Sequence, residues 1–131
     1  GVQTCALPIY EKILFYESGT LLNKGDTSLV STIDPEELKR WSKVKFTPKE
    51  VYCLNFKTLL EKSEYKKFDL ISIDIEGMDY KVLTQMNLSD LECRMLIVEY
   101  NGKNEKDYIN YVNKFGLKLY SKNAENLIFV K

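Results

Sequence analysis

The stretch Phe68-Asp69-Leu70-Ile71-Ser72-Ile73-Asp74-Ile75-Glu76-Gly77-Met78-Asp79-Tyr80-Lys81-Val82-Leu83 decides the fold. It reads as a buried strand over Phe68–Ile75, two carboxylates, a glycine, and then a helix. Strand alternation places Ile71, Ile73 and Ile75 on one face, and Leu70, Ser72, Asp74 and Glu76 on the other. Met78, Val82, Leu83 and Met86 recur at helical spacing, which predicts a helix over Met78–Met86. Acids at the carboxyl end of a parallel strand point into the crevice where open α/β sheets bind ligands. The one segment therefore predicts both the architecture and the position of a site.

Working outward, Arg94–Tyr100 reads as a second buried strand that again ends in an acid, Glu99. Asn104–Phe115 is an amphipathic helix with Tyr108, Tyr111, Val112 and Phe115 on one side, and Gly116 stops it. Leu117–Tyr120 and Asn126–Val130 read as a closing antiparallel hairpin. Upstream, Lys12–Tyr16 is a short strand and 17–32 a loop. Asp34-Pro35-Glu36-Glu37 begins a short helix ending near Ser42, with an N-cap acid and proline at the first helical position. Glu50–Leu54 is a strand, and Asn55 caps a helix whose Phe56, Leu59, Leu60 and Ser63 share a face. Strands alternating with helices predict an α/β fold: a mainly parallel sheet, helices on its faces, and a C-terminal antiparallel hairpin.

At 131 residues the chain has room for one domain with a single core. Its 44% hydrophobic and 29% charged residues are those of a soluble globular protein. Lysine plus arginine balances aspartate plus glutamate, so the formal net charge is zero. No basic surplus points to nucleic acid or an anionic membrane. No apolar run approaches the length of a transmembrane helix. Cys53 and Cys93 lie in apolar, strand-like contexts without close-spaced partners, which predicts buried thiols in a reducing, cytoplasmic setting. The sequence has no histidine, so histidine-based nucleophile pairs and metal sites do not arise within it. General acid or base chemistry falls to carboxylates, lysines, tyrosines or cysteines.

Residues 1–9, Gly1-Val2-Gln3-Thr4-Cys5-Ala6-Leu7-Pro8-Ile9, show no periodicity that continues into the strand at Lys12–Tyr16. They back-translate to GGA-GTT-CAG-ACG-TGT-GCT-CTT-CCG-ATC, which reads as a short-read sequencing adapter. The expectation is a non-native segment over 1–9, set aside from fold reasoning as a fusion scar would be, and a native protein that extends further upstream.

Asp69-Leu70-Ile71-Ser72-Ile73-Asp74-Ile75-Glu76-Gly77 resembles the FkbM-type methyltransferase pattern, an Asp-x-Glu-Gly strand end followed by a helix. Ile97-Val98-Glu99 matches the family's next strand, and Tyr108–Gly116 and Leu117–Val130 match its last helix, turn and strand pair. Cys53-Leu54-Asn55 is a weaker match to a strand with Leu-Asp opening a helix. The resemblance is good over about 50–131, thin over 10–49 and absent over 1–9. It implies a partial Rossmann-like fold, S-adenosylmethionine as cofactor, and O-methylation of a sugar-like or natural-product acceptor. The family's cofactor motifs are a glycine-rich strand–turn–helix and an acid after the second strand. Both are missing here, and the six glycines are scattered. Residues 10–131 are thus expected to be the C-terminal portion of one methyltransferase domain, without its cofactor-binding half and inactive alone.

Methyl transfer to oxygen needs the acceptor aligned and its proton taken. Asp74 is the candidate base or orienting group, and Glu76 shares its face. Two acids this close can share a proton, or together hold a divalent cation or a sugar diol. Glu99 is the third catalytic candidate, Asn101 and Gly102 are candidate acceptor contacts, and Gly77 permits a tight turn or close approach. Asp79 reads as a first-turn helix acid. Asp26, Thr27 and Ser28 are weaker candidates for the same face, while Trp41 and the Tyr108, Tyr111, Phe115 stripe read as packing. Two alternatives stand beside this reading: a metal-dependent sugar transferase using Asp-x-Glu, and a noncatalytic α/β domain. Oligomeric state is not legible.

Overall fold

The computed structural model describes residues 3–4, 11–19 and 29–131. Of the stretch expected to be foreign, only Gln3 and Thr4 are among them; Asp26, Thr27 and Ser28 lie outside the described residues.

The elements run β1 (Gln3–Thr4), β2 (Glu11–Ser18), α1 (Pro35–Arg40), β3 (Phe46–Leu54), α2 (Phe56–Lys62), β4 (Leu70–Ile73), α3 (Asp79–Leu83), β5 (Met95–Glu99), α4 (Glu105–Asn113), β6 (Lys118–Lys122) and β7 (Asn126–Val130). The expected helix starts hold. Asp34 caps α1 by accepting from the Glu36 N–H at 2.8 Å, and Asn55 caps α2 by accepting from the Thr58 N–H at 2.8 Å. Gly116 follows α4 in the left-handed region at φ +82° and ends it.

Among the described residues two sheets form rather than one. The first has the order β1-β3-β2 and the second β4-β5-β7-β6. The expected C-terminal hairpin is present, with a bulge at Tyr120 between the Leu119 and Ser121 pairings. The expectation of a mainly parallel sheet is corrected. β4 and β5 are parallel, but β7 enters beside β5 antiparallel and β6 pairs antiparallel outside it. β2 and β3 also pair antiparallel, over eight residues from Glu11↔Cys53 to Ser18↔Phe46. The strand around Lys12–Tyr16 therefore runs on through Glu17 and Ser18 into what had read as loop, and β3 starts at Phe46 rather than Glu50. Cross-strand pairing supplies the order that the local alternation of 46–49 does not announce.

The core lies on one face of the second sheet. Ile73, Leu96, Val98, Leu127 and Phe129 project from the strands onto Val82, Leu83, Met86, Tyr108, Val112 and Leu117. The register puts Ile73 beside Val98, Val98 beside Leu127, and Leu96 beside Phe129, so one residue in two reaches the helices. On the opposite face Leu70 and Ser72 are exposed, while Met95, Ile97, Ile128 and Val130 are half-buried. Among the described residues β4 pairs on one side only, with β5.

Cys93 is a buried free thiol, as expected. Cys53 is fully buried but disulfide-bonded, so the expected pair of free thiols is corrected at that position, and half of the case for a reducing compartment goes with it. No helix among the described residues is long and apolar enough to cross a membrane.

Leu96 is fully buried, whereas Tyr120 on the bulge is 74% exposed. Leu96→Ala is expected to lower the unfolding free energy by about 2–5 kcal/mol through lost transfer energy and a residual cavity. Tyr120→Ala is expected to change it by less than about 0.5 kcal/mol. Urea unfolding midpoints of the two variants check this difference.

Candidate active site

The site forms where β4 stops. The strand ends at Ile73, two residues before the expected end, and Asp74–Met78 is a tight turn into α3. Glu76 and Gly77 both have positive φ, +51° and +98°. Strand alternation therefore does not extend to Glu76, and the shared face predicted for Asp74 and Glu76 is replaced by turn geometry. The two acids still neighbour one another. Asp74, Ile75 and Glu76 line a cleft with Phe15, Glu17, Leu29 and Ser31.

Four observations explain how a non-glycine residue is held left-handed at 76. The Asp79 side chain is buried, and its two oxygens accept from the Ile75 N–H at 3.1 Å and the Gly77 N–H at 3.2 Å. The Glu76 carbonyl accepts from the Thr32 hydroxyl at 2.7 Å. That hydroxyl also accepts from the Asp34 N–H at 2.9 Å, which ties the start of α1 to the turn. Gly77 faces α1 so closely that a Cβ there would lie 2.8 Å from Glu37 Cγ and 2.9 Å from Asp34 Oδ2. The glycine is required for both its φ and its bareness.

On the other side of Gly77 is a cavity of about 240 Å³. α1 and its cap contribute Asp34, Glu36 and Glu37; the turn and α3 contribute Gly77, Asp79 and Tyr80. The end of β5 and the loop after it contribute Glu99, Tyr100, Asn101, Lys103 and Asn104, and α4 contributes Tyr108. Tyr80 and Tyr108 meet edge to face with ring centroids 4.9 Å apart. Tyr108 thus both packs, as expected, and lines the cavity.

The lining is acidic. Glu37 is buried, but its charge is matched by Arg40 Nη1 at 3.0 Å and Lys103 Nζ at 3.5 Å. Among the described residues no cation forms such an ion pair with Glu76 or Glu99. Burial, then the charges of Glu99, Asp74 and Glu37, raise the Glu76 carboxyl from 4.5 to about 7. Burial, then the charges of Asp74 and Asp79, raise Glu99 likewise to about 7, against a hydrogen bond from the Asn101 side chain. Glu99 Oε2 is itself buried without a hydrogen-bond partner among the described residues. Burial also raises the Asp79 carboxyl, and the backbone N–H groups it accepts from oppose the shift.

Of the residues read from sequence, Glu99, Asn101 and Gly77 line the cavity, while Asp74 and Glu76 line the adjoining cleft. The charge of Glu99 is one of those that raise the Glu76 carboxyl. Gly102 has φ +70° and open space where a Cβ would sit, and it is not among the residues that line the cavity. Sequence reading gave Asp79 as a first-turn helix acid, which it is, but missed its hydrogen bonds to the turn and the Thr32, Asp34 and Glu37 wall. An acid two residues after a strand-end glycine was the available signal for Asp79, because Asp readily accepts from nearby backbone N–H groups. Nothing local marks residues 32–37 as part of a site so distant in the chain; Thr32 and Glu76 are 44 positions apart. Among the described residues, no three Cys, Asp or Glu side chains are grouped so as to hold a metal ion.

The sequence profile of the methyltransferase FkbM domain matches residues 8–119. The chain belongs to the FkbM methyltransferase family. The match takes in α1 and the β2–β3 pair as well as the strand-end acids, so the cavity wall built by α1 lies within the family domain. It also extends the resemblance read from 50–131 back through the segment where the sequence pattern was thin. No curated protein and no solved structure matches the chain.

Gly77→Ala is expected to destabilise this FkbM chain. The left-handed backbone alone costs about 1–2 kcal/mol, and the new methyl must displace Glu37. Urea unfolding and the rate of proteolysis after Arg40 both report it, and a neutral result would show that α1 does not bear on Gly77. Glu76 and Glu99 make a second prediction. They titrate near 4.5 unfolded and near 7 folded, so the folded chain retains protons that the unfolded chain releases. Their stabilisation is complete below about pH 4.5 and is lost as pH rises through about 7. Thermal midpoints of the parent should fall over that window relative to a Glu76→Gln/Glu99→Gln variant, whose glutamines do not titrate.

Proposed function

We propose that residues 10–131 are the C-terminal, acceptor-side portion of an S-adenosylmethionine-dependent O-methyltransferase domain acting on a sugar-like or natural-product hydroxyl. One observation carries this reading: two carboxyls held near pKa 7, Glu99 at the end of β5 and Glu76 in the glycine turn that follows the parallel neighbour β4, beside a cavity. A general base works best when its pKa lies near the working pH. Family membership supplies methyl transfer, and the donor is proposed on that ground.

The residues of this chain do not fit the whole donor. The sequence has neither the glycine-rich strand–turn–helix nor the acid after a second strand. S-adenosylmethionine, when bound, supplies an electrophilic methyl group. This chain's residues act on the acceptor. Glu99 presents an unpartnered oxygen that would accept the proton of an acceptor hydroxyl. Glu76 and Asp74, across Gly77, orient the acceptor. Asn101 holds the Glu99 carboxylate, and Tyr80, Tyr100 and Tyr108 offer aromatic and hydroxyl surface to a polyol ring. With five acids and one lysine in the lining, an uncharged or cationic acceptor is favoured over an anionic one.

Transfer of labelled methyl from S-adenosylmethionine to a panel of sugars and hydroxylated natural products tests the proposal. The assay uses the chain alone and the chain joined to its upstream coding sequence, read across the junction before Tyr10. The chain alone should show no saturable S-adenosylmethionine binding, and the extended protein should bind it and methylate a hydroxyl acceptor. In the extended protein Glu99→Gln should lower transfer by about 10²–10⁴-fold. Saturable binding by the chain alone would overturn the fragment reading. An unchanged rate in Glu99→Gln would remove Glu99 as the base.

A further inference from the structure

Asp79 occupies the first position of α3, where an acid ordinarily faces solvent and complements the helix dipole. Here it is 3% exposed, and its carboxylate reaches backward. The oxygens accept from Ile75 N–H and Gly77 N–H, the two amides that bracket Glu76. From the other side the Thr32 hydroxyl donates to the Glu76 carbonyl at 2.7 Å. Glu76 therefore has its preceding turn, its own carbonyl and its following amide all held, in a backbone conformation that a glutamate seldom adopts unaided. Met78, which precedes α3, makes no side-chain cap. The hydrogen-bonding capacity of Asp79 thus goes to the turn.

We propose that Asp79 is the positioning residue of Glu76: by clamping the Ile75 and Gly77 amides it holds Glu76 left-handed and fixes the direction of its carboxyl in the cleft beside Asp74. The role rests on the reading of Glu76 as an acceptor-orienting group. It assigns to Asp79 no contact with the acceptor and no proton in the reaction.

The test is made on this chain, by carboxyl and amide NMR titration of the parent and of Asp79→Asn. The groups whose charge bears most on Glu76 are Glu99, Asp74, Glu37 and Arg40. Asp79 is not one of them, so loss of its charge alone has little direct leverage on Glu76. If Asp79 aims Glu76, Asp79→Asn turns an amide N–H₂ against one of the two backbone donors and frees the turn. The Glu76 midpoint then falls by about one unit or more toward 4.5 as its carboxyl gains solvent, and exchange protection at Ile75 and Gly77 drops while that at Leu96 is kept. A folded Asp79→Asn chain with an unmoved Glu76 midpoint overturns the proposal. Should that variant not fold, the parent still decides. Amide protons of Ile75 and Gly77 must follow the Asp79 side-chain carbon with one common midpoint, and titration curves that do not coincide overturn the clamp. None of these readouts needs a methyl donor. A failed methyl-transfer assay with a passed titration would therefore remove the enzymatic reading and leave the clamp, and the reverse would remove only the clamp.

Discussion

Two successive residues with positive φ, Glu76 and Gly77, set the terms for everything around them. A left-handed glutamate is costly, by about 1–2 kcal/mol, and persists only where surrounding groups over-determine it. Here those groups come from three parts of the chain: the Asp79 carboxylate from the start of α3, the Thr32 hydroxyl from the segment before α1, and the flank of α1 against a bare Gly77. The turn ends β4 early, tips Glu76 off the strand's alternation, and provides the seat for α1. Without it neither the cavity wall nor the acid grouping has a frame.

Electrostatics then separates acids that look equivalent. Glu37 is the most buried of the cavity carboxylates, and two cations answer it, Arg40 along the helix and Lys103 from the β5–α4 loop. Its burial is compatible with a charge because the charge is paired. Glu76 and Glu99 have no such ion pair among the described residues; burial first, and then the charges of neighbouring acids, let both hold protons up to about pH 7. Differences of this kind between neighbouring carboxyls mark functional sites more often than structural ones. Lys103 joins α1 to the loop after β5, so the paired acid also ties together two sides of the cavity.

Much of the architecture was legible because it is locally encoded. Asp34-Pro35 and Asn55 carry cap chemistry that no tertiary contact needs to supplement. Val82, Leu83 and Met86, and Tyr108 and Val112, lie at helical spacing, and all of them are buried. The Asp-x-Glu-Gly strand end located the acid grouping as well as the fold. What was not legible depends on pairing and on packing. Nothing in Lys45–Lys49 alternates as a strand, yet β3 begins at Phe46 because β2 lies antiparallel beside it over eight residues. The insertion of β7 beside β5 makes the second sheet mixed, and the residues of β7 carry no mark of which neighbour they take or in which direction. Asp79 is the first-turn acid that its position suggested, but only the closure of the turn draws its carboxylate onto the Ile75 and Gly77 amides.

The order of strands and helices, the caps, the apolar faces and the strand-end acids belong to the sequence, since each depends on interactions within a few residues. Which acids are buried, which are paired and which stay protonated near neutrality was decided only in three dimensions. Glu37, Lys103, Thr32 and Asp79 reach the Glu76–Gly77 turn and its surroundings from segments up to 44 positions away in the chain. The free energy of a carboxylate depends on the dielectric and the charges that surround it. Those surroundings exist only once the chain has closed around the turn.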